Sequence, residues 1–178
     1  MKKYTHYCLF QQGATLIESM VVIAIISVLL HFALFEFKPL LAKNRLDNHT
    51  HLLKRTLGIS RYNAMQFNSY TTVCALVNNR CQQQHWHKAI SVFIDHDEIG
   101  VFDDNDRIIY EIEQVNHHDM LTYPRPSVTF RPDGTPLGFN NGTFIYCPEY
   151  KKASLTGLAI SVSYTGRTRL KQTKKCQM

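Results

Sequence analysis

Apolar and polar positions divide the chain into three regimes. From Met20 to Phe35 almost every residue is apolar. Extending this run back to Ala14 and forward to Phe37 gives a helix long enough to cross a hydrocarbon core, which takes about 20 residues. After Pro39 the apolar positions thin out to Leu46, Leu53, Leu57 and Ala64, with Lys43, Arg45, Lys54, Arg55 and Arg61 among them. That spacing predicts an amphipathic helix, fading near Phe67-Asn-Ser. Pro39 should bend the join, because a proline inside a helix removes one backbone hydrogen bond and clashes with the preceding turn.

From Thr71 the pattern shortens to β-rich runs at Thr71–Val77, Ala89–Ile94, Arg107–Ile112, Ser127–Phe130, Gly142–Cys147 and Leu158–Tyr164. Pro-Asp-Gly-Thr-Pro at 132–136 and Asn-Asn-Gly at 140–142 supply turn chemistry between them. The expected fold is therefore α+β, one long N-terminal helix wrapped by antiparallel strands. A length of 178 residues suits one such domain plus an anchor.

Charge changes this picture by its distribution. The net charge is +6, which suits a polyanion or an anionic surface as partner. Of the 14 acidic residues, nine lie between Asp95 and Asp119, whereas residues 151–178 hold seven Lys or Arg and no acid. Lys2 and Lys3, with no acid before Gly13, hold the N-terminus on the cytoplasmic side of a membrane, so the apolar run reads as one span, N-in and C-out.

An ordinary secretory signal has small residues at a cleavage site after its apolar stretch, and Phe35-Glu-Phe-Lys-Pro39 offers none. The glycine stands before the run instead, and Glu18 lies just inside it. A carboxylate at that depth costs about 2–3 kcal/mol on insertion scales and calls for a partner, the nearest candidate being an N-terminal amine.

Five cysteines stand at 8, 74, 81, 147 and 176, and removal of a leader carrying Cys8 would leave an even four. Two disulfides would suit an oxidising compartment such as a bacterial periplasm. Six residues, Asn78-Asn79 among them, separate Cys74 from Cys81, which suits a bridge across a hairpin; Cys147 and Cys176 would then pair. The other pairings stay open at this level.

Four constellations bear on chemistry. His85-Trp-His87 and His117-His118 could ligate zinc, yet no Cys or carboxylate stands at ligand spacing, so no metal is assigned. Asp95-His-Asp-Glu-Ile-Gly100, followed by Asp103 and Asp106, imitates a calcium loop, but that loop needs an oxygen ligand where Ile99 stands and a bidentate Glu where Asp106 stands. An acidic, solvated hairpin turn is the expected account. Neither a Gly-x-Ser-x-Gly elbow nor a zinc-protease helix motif is present, which argues against an enzyme and leaves no cofactor to expect.

The fourth is Thr165-Gly-Arg-Thr-Arg-Leu-Lys171 with Lys174-Lys175. If extended, it points Arg167, Arg169 and Lys171 to one side, because alternate side chains of a strand share a face. Gly166 lets the backbone turn into it. Three cations on one side form a phosphate-binding strip, with Lys174 and Lys175 as auxiliary charges.

Two resemblances join these pieces. Gly13-Ala-Thr-Leu-Ile-Glu18 resembles the type IV prepilin motif. That resemblance implies cleavage after Gly13 by a prepilin peptidase, methylation of the new N-terminus at Ala14, and a Glu18 that neutralises a neighbouring subunit's amine in a filament. Ala14 stands where that family usually has phenylalanine or methionine. Trp86 to Asp95, Val128-Thr-Phe-Arg-Pro-Asp-Gly134, Gly142-Thr-Phe-Ile-Tyr-Cys147 and Ile160-Ser-Val-Ser-Tyr-Thr-Gly-Arg167 are similar to the FimT/GspH family of minor pilins and pseudopilins.

Members similar to FimT carry a Gly-Arg-x-Arg element that contacts DNA during uptake for transformation, and Gly166-Arg167-Thr168-Arg169 matches it. The type IV pilin fold is thus implied, with residues 1–13 a leader, 14–39 a membrane and pilus-core helix, and 40–178 a periplasmic globular domain whose helix runs to about 68 and whose β-rich part spans 71–178. The implied partners are double-stranded DNA, other type IV pilins, the peptidase, and the inner membrane before assembly at the cell surface. The structural alternative is a minor pilin or type II secretion pseudopilin that primes assembly without touching DNA.

Overall fold

The computed structural model describes residues 15–148 and 156–177. The chain divides into two compact units, Met1–Lys38 and Pro39–Met178. One helix, α1 (Leu16–Phe67, 52 residues), enters both and carries Pro39 inside it. The hydroxyl of Thr15 accepts a hydrogen bond from the Glu18 N–H at 3.3 Å and so caps its start. At the other end Asn68 takes a left-handed φ of 49°, and the Ser69 N–H reaches the Ala64 carbonyl at 3.3 Å. That six-to-one bond is a Schellman termination, and it stops the helix at the Phe67-Asn-Ser stretch.

In the first unit the described apolar side chains of α1 are uncovered all round, from Leu16 at 78% exposure to Val22 at 48%. A helix apolar on every side needs an apolar environment supplied from outside. Among the described residues no single helix is long and apolar enough to cross a membrane, and Leu16–Phe32 and Phe37–Phe67 reach that length and composition only when taken together.

In the second unit Ala42, Leu46, Leu53, Leu57 and Ala64 are at most 3% exposed and form one buried stripe. Two four-stranded antiparallel sheets cover it. The first has the order β5-β4-β1-β7, with β1 Tyr70–Cys74, β4 Ile90–Asp95, β5 Arg107–Ile112 and β7 Val128–Phe130. The second has the order β10-β9-β8-β6, with β6 Met120–Thr122, β8 Gly142–Cys147, β9 Gly157–Val162 and β10 Thr168–Thr173. Helix and sheets share one core containing Leu57, Val73, Trp86, Phe93, Phe130, Phe144 and Ile160. The Trp86 indole is fully buried, donates to the Arg125 carbonyl at 2.8 Å, and meets Phe144 edge-on with centroids 4.9 Å apart.

The strand read as Thr71–Val77 divides in two at Ala75, because β1 pairs with β4 and β7 whereas Leu76–Val77 pairs, among the described residues, only with the strand that follows it. β2 (Leu76–Val77) and β3 (Arg80–Cys81) form a small hairpin whose Asn78 and Asn79 have φ of 52° and 61°. Positive φ at both central residues is what a twisted two-residue hairpin requires, and Asn tolerates it. A Cys74–Cys81 disulfide, Cα atoms 5.5 Å apart, closes the excursion.

The acidic stretch is solvated at Asp97, Glu98 and Asp104, as expected, but not at Asp95 and Asp106. Asp95 is 1% exposed, and one of its oxygens accepts from the Thr72 hydroxyl at 2.6 Å and the Gly100 N–H at 2.8 Å. Asp106, its side chain buried, accepts from the His96 and Asp103 N–H groups. Burial pushes the Asp95 carboxyl above the usual carboxylate range, against the pull of the Thr72 and Gly100 hydrogen bonds. These carboxylates are internal braces for a loop, and composition alone could not distinguish that use from solvation.

A second brace joins helix to sheet. Arg45 Nε of α1 lies 3.2 Å from an oxygen of Asp119, whose side chain is wholly buried, and the Tyr146 hydroxyl of β8 donates to the same oxygen at 2.8 Å. Arg45 keeps 36% of its side chain in solvent, so loss of Asp119 leaves chiefly the Tyr146 hydroxyl without its partner, at a cost of about 1–3 kcal/mol. Asp119→Ala should therefore lower the unfolding free energy by about 2 kcal/mol in urea titrations followed by Trp86 fluorescence. A loss under about 1 kcal/mol would show that the network adds little beyond a surface pair.

Candidate functional site

The basic segment is a strand at a sheet edge. β10 pairs with β9 in the register Thr168↔Val162, Leu170↔Ile160 and Thr173↔Gly157, and among the described residues its other edge is unpaired. Leu170 packs against the core cluster, so its neighbours Arg169 and Lys171 must point away from it. Both are exposed, as is Arg167, which precedes the strand at the end of the turn. Lys174 and Lys175 are exposed beyond its far end. Among the described residues none of the five pairs with a carboxylate. An exposed edge with unpaired cations of one sign at alternate positions can hold a polyanion through its charges.

Local chemistry fixes the start of this strip. β9 stops at Val162 because the chain turns: the Gly166 N–H donates to the Ser163 carbonyl at 2.9 Å, and the Ser163 N–H to the Arg167 carbonyl at 3.0 Å. The Ser163 hydroxyl accepts from the Arg167 N–H at 3.1 Å and lies 3.0 Å from the Thr165 hydroxyl. Gly166 has φ of 73°, and a Cβ there would run into the Gly134 carbonyl oxygen and come within 3.1 Å of Arg61 Nε. Only glycine satisfies both the left-handed backbone and the close approach.

Arg61 is the residue that the sequence did not single out. Its Nε is buried without a hydrogen-bond partner among the described residues, and it sits where the turns of Gly134 and Gly166 meet α1. It lies beside the Gly-Arg turn in space and more than a hundred residues away in the chain, and its helical spacing marked it only as part of an amphipathic pattern.

The far end of the strip is pinned covalently. Cys147 at the end of β8 is joined to Cys176, with Cα atoms 5.4 Å apart. The tail reaches Cys147 by passing over Gly157, where a Cβ would collide with the Cys176 sulfur and the Tyr146 carbonyl. The strip is thus held by a hydrogen-bonded turn at one end and a disulfide at the other.

The remaining candidates do not converge. Among the described residues no three His, Cys, Asp or Glu side chains gather as metal ligands; His85 and His87 stand 5.9 Å apart by ring centroids and His117 and His118 3.7 Å. A cavity of about 500 Å³ is lined by Arg45, His49, Tyr110, Glu111, Glu113 and Tyr146 among others. Its lining mixes both charge signs. Burial lowers the His49 pKa, opposed by the Asp119 carboxylate, so the imidazole is neutral near pH 7 and is no standing cation for an anionic ligand. Glu18 is exposed in the first turn of α1. Cys8, Gly13 and Ala14 lie outside the described residues.

An N-terminal helix, apolar in its first half and packed in its second half on antiparallel sheets, is the fold of a type IV pilin subunit. The chain belongs to the GspH family, described as type II transport protein GspH, whose family model matches residues 49–166. A prokaryotic N-terminal methylation motif matches residues 9–34. Among solved structures, the Pseudomonas aeruginosa type IV minor pilin FimU aligns with a TM-score of 0.56 at 20% identity, covering 75% of this chain and 96% of that one. The minor pseudopilin EpsH of the Vibrio cholerae type 2 secretion system aligns with a TM-score of 0.51 at 13% identity, covering 72% and 97%. No curated protein sequence matches the chain.

Gly166→Ala tests how firmly the strip is seated. Left-handed backbone at a non-glycine residue costs about 1 kcal/mol, and here the collision with Gly134 adds to it. Gly138, also at positive φ (56°) but with open space where its Cβ would go, isolates the backbone cost. Urea unfolding should show Gly166→Ala losing about 2–3 kcal/mol and Gly138→Ala about 1. Equal losses would mean that the Gly134–Gly166 contact does not constrain the turn.

Proposed function

We propose that this minor pilin binds DNA outside the inner membrane, through the strip Arg167, Arg169 and Lys171 with Lys174, Lys175 and the turn at Gly166, during DNA uptake for transformation. The observation that carries this reading is the set of unpaired cations on an exposed edge strand held at both ends. Such contacts position a phosphate backbone and read no sequence. The protein acts as a binding and assembly subunit and performs no catalysis.

The N-terminal motif supports the rest of the life history. A prepilin peptidase cleaves after Gly13, Ala14 is methylated, and the helix from Ala14 to about Pro39 holds the subunit in the inner membrane as a single span with its N-terminus cytoplasmic. The two disulfides suit a periplasmic globular domain. On assembly Glu18 pairs with the amine of a neighbouring pilin, and the subunit passes to the pilus at the cell surface. The family description favours one second reading: a pseudopilin that primes filament assembly in type II secretion and touches no nucleic acid.

Each neutralised phosphate contributes about 0.7–0.9 to the log–log salt slope, so three to five cations give a slope of about 2–4.5. Fluorescence anisotropy of the full-length chain in non-ionic detergent with a short labelled duplex should show binding at low salt that is indifferent to sequence. Arg167→Gln with Arg169→Gln should weaken it about ten-fold or more and reduce the slope by about 2. Absence of binding by the wild-type chain at low salt, or an unchanged affinity in the double variant, would favour the assembly reading.

A further inference from the structure

The two most exposed large apolar side chains described in the globular unit are both aromatic, Phe139 at 76% and Tyr164 at 66%. They come from different loops and lie at the same end of the second sheet. Gly142, three residues after Phe139, pairs with Val162, two residues before Tyr164. Arg167 follows Tyr164 by three residues in the same turn. Neither ring has a ring contact or hydrogen bond among the described residues.

Single exposed apolar residues are ordinary on a protein surface. Two uncovered aromatics at the head of an unpaired cationic strip are a different arrangement. Tyr164 is also presented on a stiff turn, held by the Ser163 hydroxyl and by the seating of Gly166 on Gly134, so little freedom is lost when the ring meets a partner. Single-stranded polynucleotides are bound by this combination, cations tracking the phosphates and aromatic faces on which unpaired bases stack. In a continuous duplex the base faces are already occupied by their neighbours.

We propose that Tyr164 and Phe139 stack on unpaired bases while Arg167, Arg169 and Lys171 hold the adjoining phosphates, so that single-stranded DNA is the preferred ligand of this strip. The proposal rests on the strip being a DNA contact and adds the class of DNA it selects. Stacking is indifferent to base identity, so the selection is for unpaired bases and not for a sequence.

Three labelled ligands of equal length separate the contributions: a single-stranded oligonucleotide, its duplex, and an abasic deoxyribose-phosphate oligomer, each titrated with the full-length chain in non-ionic detergent. The single strand should bind about five-fold or more tighter than the abasic oligomer. Tyr164→Ala with Phe139→Ala should bring the single strand down to the abasic level while leaving the abasic and continuous-duplex affinities unchanged, and Tyr164→Phe should retain the wild-type preference. Equal binding of single strand and abasic oligomer overturns the stacking and leaves the phosphate strip standing. A double alanine variant that weakens all three ligands alike also overturns it. No binding of any ligand at low salt removes the strip itself, and the stacking with it.

Discussion

The buried stripe of α1 is the constraint on which the globular unit depends. Ala42, Leu46, Leu53, Leu57 and Ala64 must be covered, and each fully buried leucine is worth about 1.5–3 kcal/mol relative to water. Two sheets share the work, and strands from both enter a single core with the helix. The turn after β7 and the turn between β9 and β10 then meet over the same stretch of helix, at Arg61 and Met65. Glycine at 134 and 166 is what lets two backbones and a helix side chain come so close. The position of the cationic strip is therefore a consequence of core packing, transmitted through one tight contact.

Internal use of the acids sharpens the electrostatics. Asp95, Asp106 and Asp119 are buried and spent on backbone N–H groups, hydroxyls and Arg45. The cations of β10 have no such partners among the described residues, and they sit on the second sheet, whereas Asp95 closes β4 in the first. A net charge of +6 understates this separation. What a polyanion meets at the edge of β10 is a run of one sign, stabilised by the core behind Leu170 and the disulfide at Cys176.

Periodicity made the fold legible wherever one side of an element is buried. The helix end at Phe67, the strand Arg107–Ile112 and the strand Gly142–Cys147 follow from spacing and turn residues, and the α+β class follows with them, whereas the pilin fold was implied by resemblance. The short strands Arg80–Cys81 and Met120–Thr122 were not legible, because two or three residues carry no period. Neither was the use of the acidic turn, since a buried, hydrogen-bonded carboxylate and a solvated one look alike in a sequence. At the site, the alternation of Arg167, Arg169 and Lys171 could be read directly. Arg61 and the seating of Gly166 on Gly134 could not, because each joins the turn only through tertiary contact.

The proposed role in DNA uptake requires a strip that is dispensable for building the filament. The direct measurement is transformation frequency in the native bacterium carrying Arg167→Gln with Arg169→Gln, taken beside pilus number and secretion in the same cells. A fall in transformation with pili and secretion intact is the predicted result. Unchanged transformation, or a fall seen only together with lost pili or lost secretion, would contradict it.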